Sequence, residues 1–172
     1  MHHRDRPITA AQRAGDQIDT VVSAELPSVP VRHKYSATAK GEAEFERAKE
    51  ECERLTARLV TSMLHRDCAN DRKAPCRQED QTKCAQCYPK EFQEHTVWNE
   101  QQIYPRYRRR KEADGGRVLH HKSSGGHIRI VDNRWVVPHN PFLVLKYDCH
   151  INTEVRNTAL AKHVAIGQSV PS

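Results

Sequence analysis

The chain has 172 residues, which suits one domain with loose ends, and its 37% hydrophobic and 29% charged residues leave room for a core of limited size. A mean hydropathy of -0.85 and no apolar run near the roughly 18 residues of a membrane span point away from an integral membrane protein. The net charge of +6 favours polyanionic partners. The N-terminus "MHHRDRPITAAQ" has no apolar stretch of the kind a secretory signal needs, so an intracellular chain is expected. In that setting the six cysteines are expected as reduced thiols or metal ligands, not disulfides.

In chain order, residues 1–37 carry Pro7, Pro27 and Pro30 and one short apolar run. They predict a flexible N-terminal arm holding a short helix or turn around Ile18, Val21 and Val22. Residues 38–64 predict a long amphipathic helix: Phe45, Ala48, Cys52, Leu55, Leu59 and Met63 recur at steps of three and four and share one face. Cys52 lies on that stripe and is expected to pack. Residues 65–92 form a cysteine-rich segment, and 93–126 read as a basic, glycine-punctuated linker. Residues 127–155 read as strand-rich, with "HIRIV", "RWVV" and "FLVLKYDCHI" separated by Asn, Asp and Pro turns. The run "FLVL" is apolar at every position, which predicts a strand covered on both faces. Residues 156–172 read as a divergent tail. The expected class is α+β: a long N-terminal amphipathic helix, a zinc-stabilised cysteine-rich loop, short antiparallel strands near the C-terminus, and partly disordered ends.

Two motifs carry candidate chemistry. The first is H-x2-C-x7-C-x7-C-x2-C, at His65, Cys68, Cys76, Cys84 and Cys87. A gap of two residues lets both members of a pair reach one metal from a tight turn, as a tetrahedral structural zinc site requires. The sequence between the pairs has almost nothing to bury, so a metal would supply the folding energy that a core cannot. Five candidates compete for four positions, and free thiols in a loop are the plain alternative. The second motif is "YPRYRRRK", which interleaves Tyr104 and Tyr107 with Arg106, Arg108, Arg109, Arg110 and Lys111. Arginine clamps phosphates and tyrosine offers a face for base stacking, so single-stranded nucleic acid is the partner this pattern suggests. A solvated charged face or a nuclear-import patch would use the same residues.

The chain contains no G-x-x-x-x-G-K-[ST] phosphate loop and no His-apolar-His pair, and its last tyrosine is Tyr147. Against that background, four stretches resemble successive blocks of the Helitron transposases. They are "DQIDTVVSAELP", "MLHRDCANDRKAPCRQEDQTKCAQCYPKEF", "YPRYRRR" and "DNRWVVPHNPFLVLKYDCHINTEV", covering roughly residues 16–27 and 60–155. The blocks correspond to the region between the rolling-circle nuclease core and the fused C-terminal helicase.

The resemblance implies a nuclease whose His-apolar-His metal site lies upstream of these blocks, and whose catalytic tyrosine sits on a helix just after "HINxEV". Here "RNTALAKHVAIGQSVPS" follows "HINTEV" and holds no tyrosine. The expectation is thus a truncated, DNA-binding and catalytically incomplete fragment, not an enzyme, with no catalytic residue to assign. Cys68, Cys76 and Cys84 stand at cysteine positions of the family and His65 at its His-x-x-Cys histidine. Cys87 falls where the family usually has a basic residue, and His139 replaces the tyrosine of "VPYNP". Zinc is the implied cofactor. DNA, single-stranded by preference, is the implied partner, along with the missing parts of the same transposase, and the nucleus is the implied location. A stand-alone zinc-dependent nucleic-acid-binding module and a non-functional gene fragment are the competing readings.

Overall fold

The computed structural model describes residues 10–68, 74–77, 84–98, 102–122, 128–158 and 161–168, with backbone alone beyond Arg156. The expectation of disordered ends falls on residues 1–9 and 169–172, outside the described residues. The class is α+β. Among the described residues there are three α-helices, α1 (Ala10–Asp19), α2 (Ala39–Ser62) and α3 (Pro141–Tyr147). Two antiparallel ribbons accompany them: β1 (Val118–Lys122) with β2 (Ile128–Asp132), and β3 (Ile151–Thr158) with β4 (Ala161–Gln168).

Helix α2 starts where Thr38 caps it, its hydroxyl accepting from the Gly41 amide at 3.2 Å. Cys52, Leu55 and Leu59 on its inward face and Met63 just past its end are buried. Phe45 and Ala48, a turn or two earlier, are half-buried. The main core joins Leu55, Leu59 and Met63 to Leu26, Val136 and Val144. Burying a side chain such as Leu59 fully contributes roughly 1.5–3 kcal/mol. The thiol of Cys52 packs against the Ser28 carbonyl at 3.5 Å.

From Ala10 onward, the 1–37 segment departs from the flexible arm expected of it. Val22, Ala24, Glu25 and Leu26 are buried, and Ser23 pairs with His139 through two backbone bonds of 2.8 Å. Its alternating apolar residues feed two clusters at once: Leu26 joins the main core, while Val22 and Ala24 join Trp98, Tyr107 and Val155. Helix α1 lies against the second cluster through Ala14 and Ile18. It approaches so closely that a Cβ at Gly15 would run into the Thr96 carbonyl.

The stretch 93–126 is likewise more than a linker. Gln93 and Val97 pair antiparallel with Arg109 and Arg106, and β1 lies within it.

The strand expected at "FLVL" is replaced by α3. Asn140 caps the helix, its side-chain oxygen accepting from the Leu143 amide at 2.9 Å, and Pro141 occupies the first turn. Asp148, in the left-handed region at φ 54°, ends it. Burial is one-sided, as in a helix: Val144 is fully buried, whereas Phe142 and Tyr147 are mostly exposed. The segment "RWVV" is also not a strand. Asn133–Trp135 form a single 3-10 turn capped by the Asp132 carboxylate on the Arg134 amide at 2.9 Å. The strand beginning in "HINTEV" runs on as β3 to Thr158, past the expected tail boundary, and pairs with β4 within that tail.

Candidate metal centre and the basic segment

The backbone after α2 is tied to the fold as it reaches the first candidate ligand. Val137 donates to the Met63 carbonyl and His65 to the Trp135 carbonyl, both at 2.8 Å. The His65 carbonyl in turn accepts from Arg129 at 3.1 Å, and the Arg129 guanidinium lies 3.9 Å from the Trp135 ring centroid. The His65 imidazole is stacked on Tyr88, with ring centroids 4.1 Å apart and planes inclined by 12°. On the other side of the site, Arg77 bridges Cys84, and Ala85 donates to the Cys76 carbonyl at 2.8 Å, forming a small knuckle.

These constraints gather His65, Cys68, Cys76 and Cys84, whose donor atoms all lie within 4.8 Å of one another. The His65 Nε2 stands 3.4 Å from the Cys76 sulfur and 3.2 Å from that of Cys84. The group could hold a metal ion. Three thiols and one imidazole nitrogen are the donor chemistry of soft and borderline metals, and all six cysteines are free of disulfides. Cys87, the fifth candidate from the sequence, is not in the cluster. It is exposed with φ 55°, on the turn where its amide donates to the Cys84 carbonyl at 2.8 Å.

Electrostatics in the cluster favour a cation. Burial pushes the Cys68 thiol up to about 12, helped by the neighbouring Cys84 and Cys76. Burial also acts against ionised Cys84, but the amides of Tyr88 and Gln86 outweigh it and bring that thiol below its ordinary value. The Gln86 amide is 3.3 Å from the sulfur. Burial, then the nearby Arg129, Lys90 and Arg66, lowers His65, leaving its imidazole neutral and ready to ligate. Ionising a second and a third thiol here without a counter-charge would be strongly opposed.

The basic segment is placed differently from the exposed patch that its composition suggests. Arg109 is 4% exposed, and its Nη1 donates to the carbonyls of Ala24 at 3.3 Å, Val136 at 2.7 Å and Asn133. Tyr107 is buried, and its hydroxyl accepts from the Val155 amide at 2.8 Å. Arg108 pairs with Asp19 and Glu25, both at 3.1 Å, and Arg110 pairs with Glu25 at 2.7 Å. Tyr107, Arg108, Arg109 and Arg110 thus serve the interior, and of the predicted nucleic-acid residues Tyr104, Arg106 and Lys111 stay exposed.

Glu25 and Asn133 complete this network. The buried Glu25 accepts from the Arg110 amide at 2.6 Å. Burial alone would raise Glu25; the Arg110 guanidinium and amide, with Arg108, outweigh it and hold the carboxyl below its usual value. Asn133 accepts from the Leu26 amide at 2.8 Å and donates to the Arg110 carbonyl at 2.8 Å. In the sequence the one available signal was Glu25 itself, an acid set in the apolar run "VVSAELP".

No helix among the described residues is long and apolar enough to cross a membrane. No family model matches the chain, and neither a curated protein nor a solved structure matches it.

Proposed function

We propose that this chain is the zinc-stabilised, DNA-contacting segment of a Helitron-type transposase, and that it does not cleave DNA on its own. One observation carries the reading. The four side chains that converge, His65, Cys68, Cys76 and Cys84, are those standing at the family's cysteine positions and its His-x-x-Cys histidine, while Cys87, at a position where the family usually has a basic residue, stays outside. A quartet of three cysteines and one histidine is a closed zinc site, with no position left for water or substrate, so its role is structural. The spacing fits zinc: a tetrahedron with Zn–S near 2.3 Å has sulfur–sulfur edges of about 3.8 Å, inside the 4.8 Å that bounds the cluster. When bound, the ion supplies folding energy and neutralises the gathered thiolates.

The partner follows from charge, since a net +6 with no phosphate loop suits binding to a polyanion without nucleotide hydrolysis. Metal analysis after dialysis, paired with single-stranded DNA binding before and after chelation, tests the proposal. About one equivalent of zinc and a loss of binding on chelation are expected. Less than about a tenth of an equivalent, with undiminished binding, would overturn it. A DNA-linked band surviving a denaturing gel, after incubation with single-stranded DNA and a divalent metal, would refute the absence of cleavage.

A further inference from the structure

A cleft of about 1100 Å3 opens beside the metal centre, walled by the turn after Cys84, the 104–109 segment and the start of β3. Its size exceeds the roughly 300–1,000 Å3 typical of small-molecule sites, which leaves room for a stretch of polymer. Tyr107 and Arg109 line it but are committed to the interior through their bonds to Val155 and to three carbonyls. Tyr104 and Arg106 line it too and are not so committed: Tyr104 is 46% exposed, and Arg106 is exposed.

Arg106 also differs from the cations that follow it in the segment. Arg108 and Arg110 are neutralised by Glu25, Arg109 is enclosed by carbonyls, and Lys111 meets Asp114 at 3.7 Å. Arg106 forms no ion pair among the described residues, and its backbone is fixed by bonds to Val97 at 2.9 and 3.0 Å. A cation on a hydrogen-bonded backbone, without an ion pair among the described residues and next to an open aromatic ring, suits a ligand carrying both phosphate and base. Lys90 and the acids Glu91 and Glu154 also line the cleft, and the acids oppose phosphate in their vicinity.

We propose that this cleft holds a segment of single-stranded DNA, with Arg106 on a phosphate and Tyr104 stacked on a base. The proposal rests on the DNA-binding reading given above and moves the contact from the whole basic run to two of its residues. The test uses the zinc-loaded full chain and a fluorescein-labelled oligo-dT of about twelve nucleotides, within the usual single-strand site sizes, read by anisotropy across a salt series.

Tyr104→Ala should weaken binding roughly 5- to 150-fold and leave the salt dependence unchanged, while Tyr104→Phe keeps the parent affinity. Arg106→Ala should weaken binding and reduce the log–log salt slope by about 0.7. Lys40→Ala, on α2 and outside the cleft, should do neither, and a duplex of equal length should bind more weakly than the single strand. As a measurement independent of variants, an iodouridine-substituted oligonucleotide should photocrosslink to the peptide containing Tyr104. If the parent binds but Tyr104→Ala and Arg106→Ala match it and the crosslink maps elsewhere, the cleft is wrong and the DNA-binding reading survives. If the parent binds no single strand at any salt, both fall.

Discussion

Replacing Arg109 by Met is the sharpest probe of how the basic segment is used. The substitution keeps an unbranched apolar stem but removes the guanidinium that serves the carbonyls of Ala24, Asn133 and Val136. Those three residues are 2%, 0% and 0% exposed, so water cannot readily replace the lost donor, although the Asn133 carbonyl keeps the Val136 amide at 3.4 Å. Each orphaned buried acceptor costs about 1–3 kcal/mol. Against this, the variant no longer has to desolvate a charge, which returns part of the loss. A net destabilisation of roughly 3–5 kcal/mol follows, as for the breaking of other buried polar networks. With a urea slope near 2 kcal/mol/M, the midpoint should fall by about 2 M. Fluorescence of Trp98 and Trp135 reports the transition for metal-loaded protein. Arg106→Met, made at the exposed end of the same run, should shift stability by no more than about 0.5 kcal/mol. The reasoning is refuted if Arg109→Met loses under about 1 kcal/mol or behaves like Arg106→Met, because the segment would then be free at the surface.

Further outcomes follow from the metal quartet, the buried histidine and the core. Cys68→Ser should abolish stoichiometric zinc binding while Cys87→Ser retains it; zinc lost equally from both by metal analysis would place Cys87 among the ligands. His139 is fully buried, and burial lowers its imidazole to about 4. Its contribution to stability is therefore complete above its unfolded value near 6.5 and is lost as pH falls toward 4. Between pH 7 and 5 the parent should lose about 2 kcal/mol from this group alone, a part of the slope that His139→Leu should lack in urea titrations at the two pH values. Leu59→Ala should cost about 2–5 kcal/mol by denaturant melts, and a cost under about 1 kcal/mol would mean that α2 does not bury this face.

What could be read from the sequence was local. His65, Cys68, Cys76 and Cys84 announce themselves by spacing because two of them share one short turn, and a metal site needs only such turns plus reach. The exclusion of Cys87, which spacing left open, came with the structure, where it lies exposed on a left-handed turn outside the cluster. The "FLVL" run misled because four apolar residues fit a short strand or a short helix equally. The deciding signals were Asn140 as cap, Pro141 in the first turn and Asp148 at the end. The basic run misled for a different reason. Its density of charge is visible at once, but its counter-charge, Glu25, lies 85 positions from Arg110, and nothing in the chain between them marks the pairing.

The short ladder in which residues 63–65 meet 135–137 has a thermodynamic consequence. His65 is bonded to Trp135 directly beside Met63 and Val137, so the first ligand and the main core share one piece of backbone. An ion bound through His65 would be coupled by this ladder to the floor of that core. Its binding energy would then be felt by the whole folding equilibrium, growing as RT ln(1 + [metal]/Kd), about 4 kcal/mol at a thousandfold excess over Kd. On that linkage the survival of the chain against proteolysis would track the free metal concentration around it, and metal scarcity would be read out as a shorter lifetime of the entire protein.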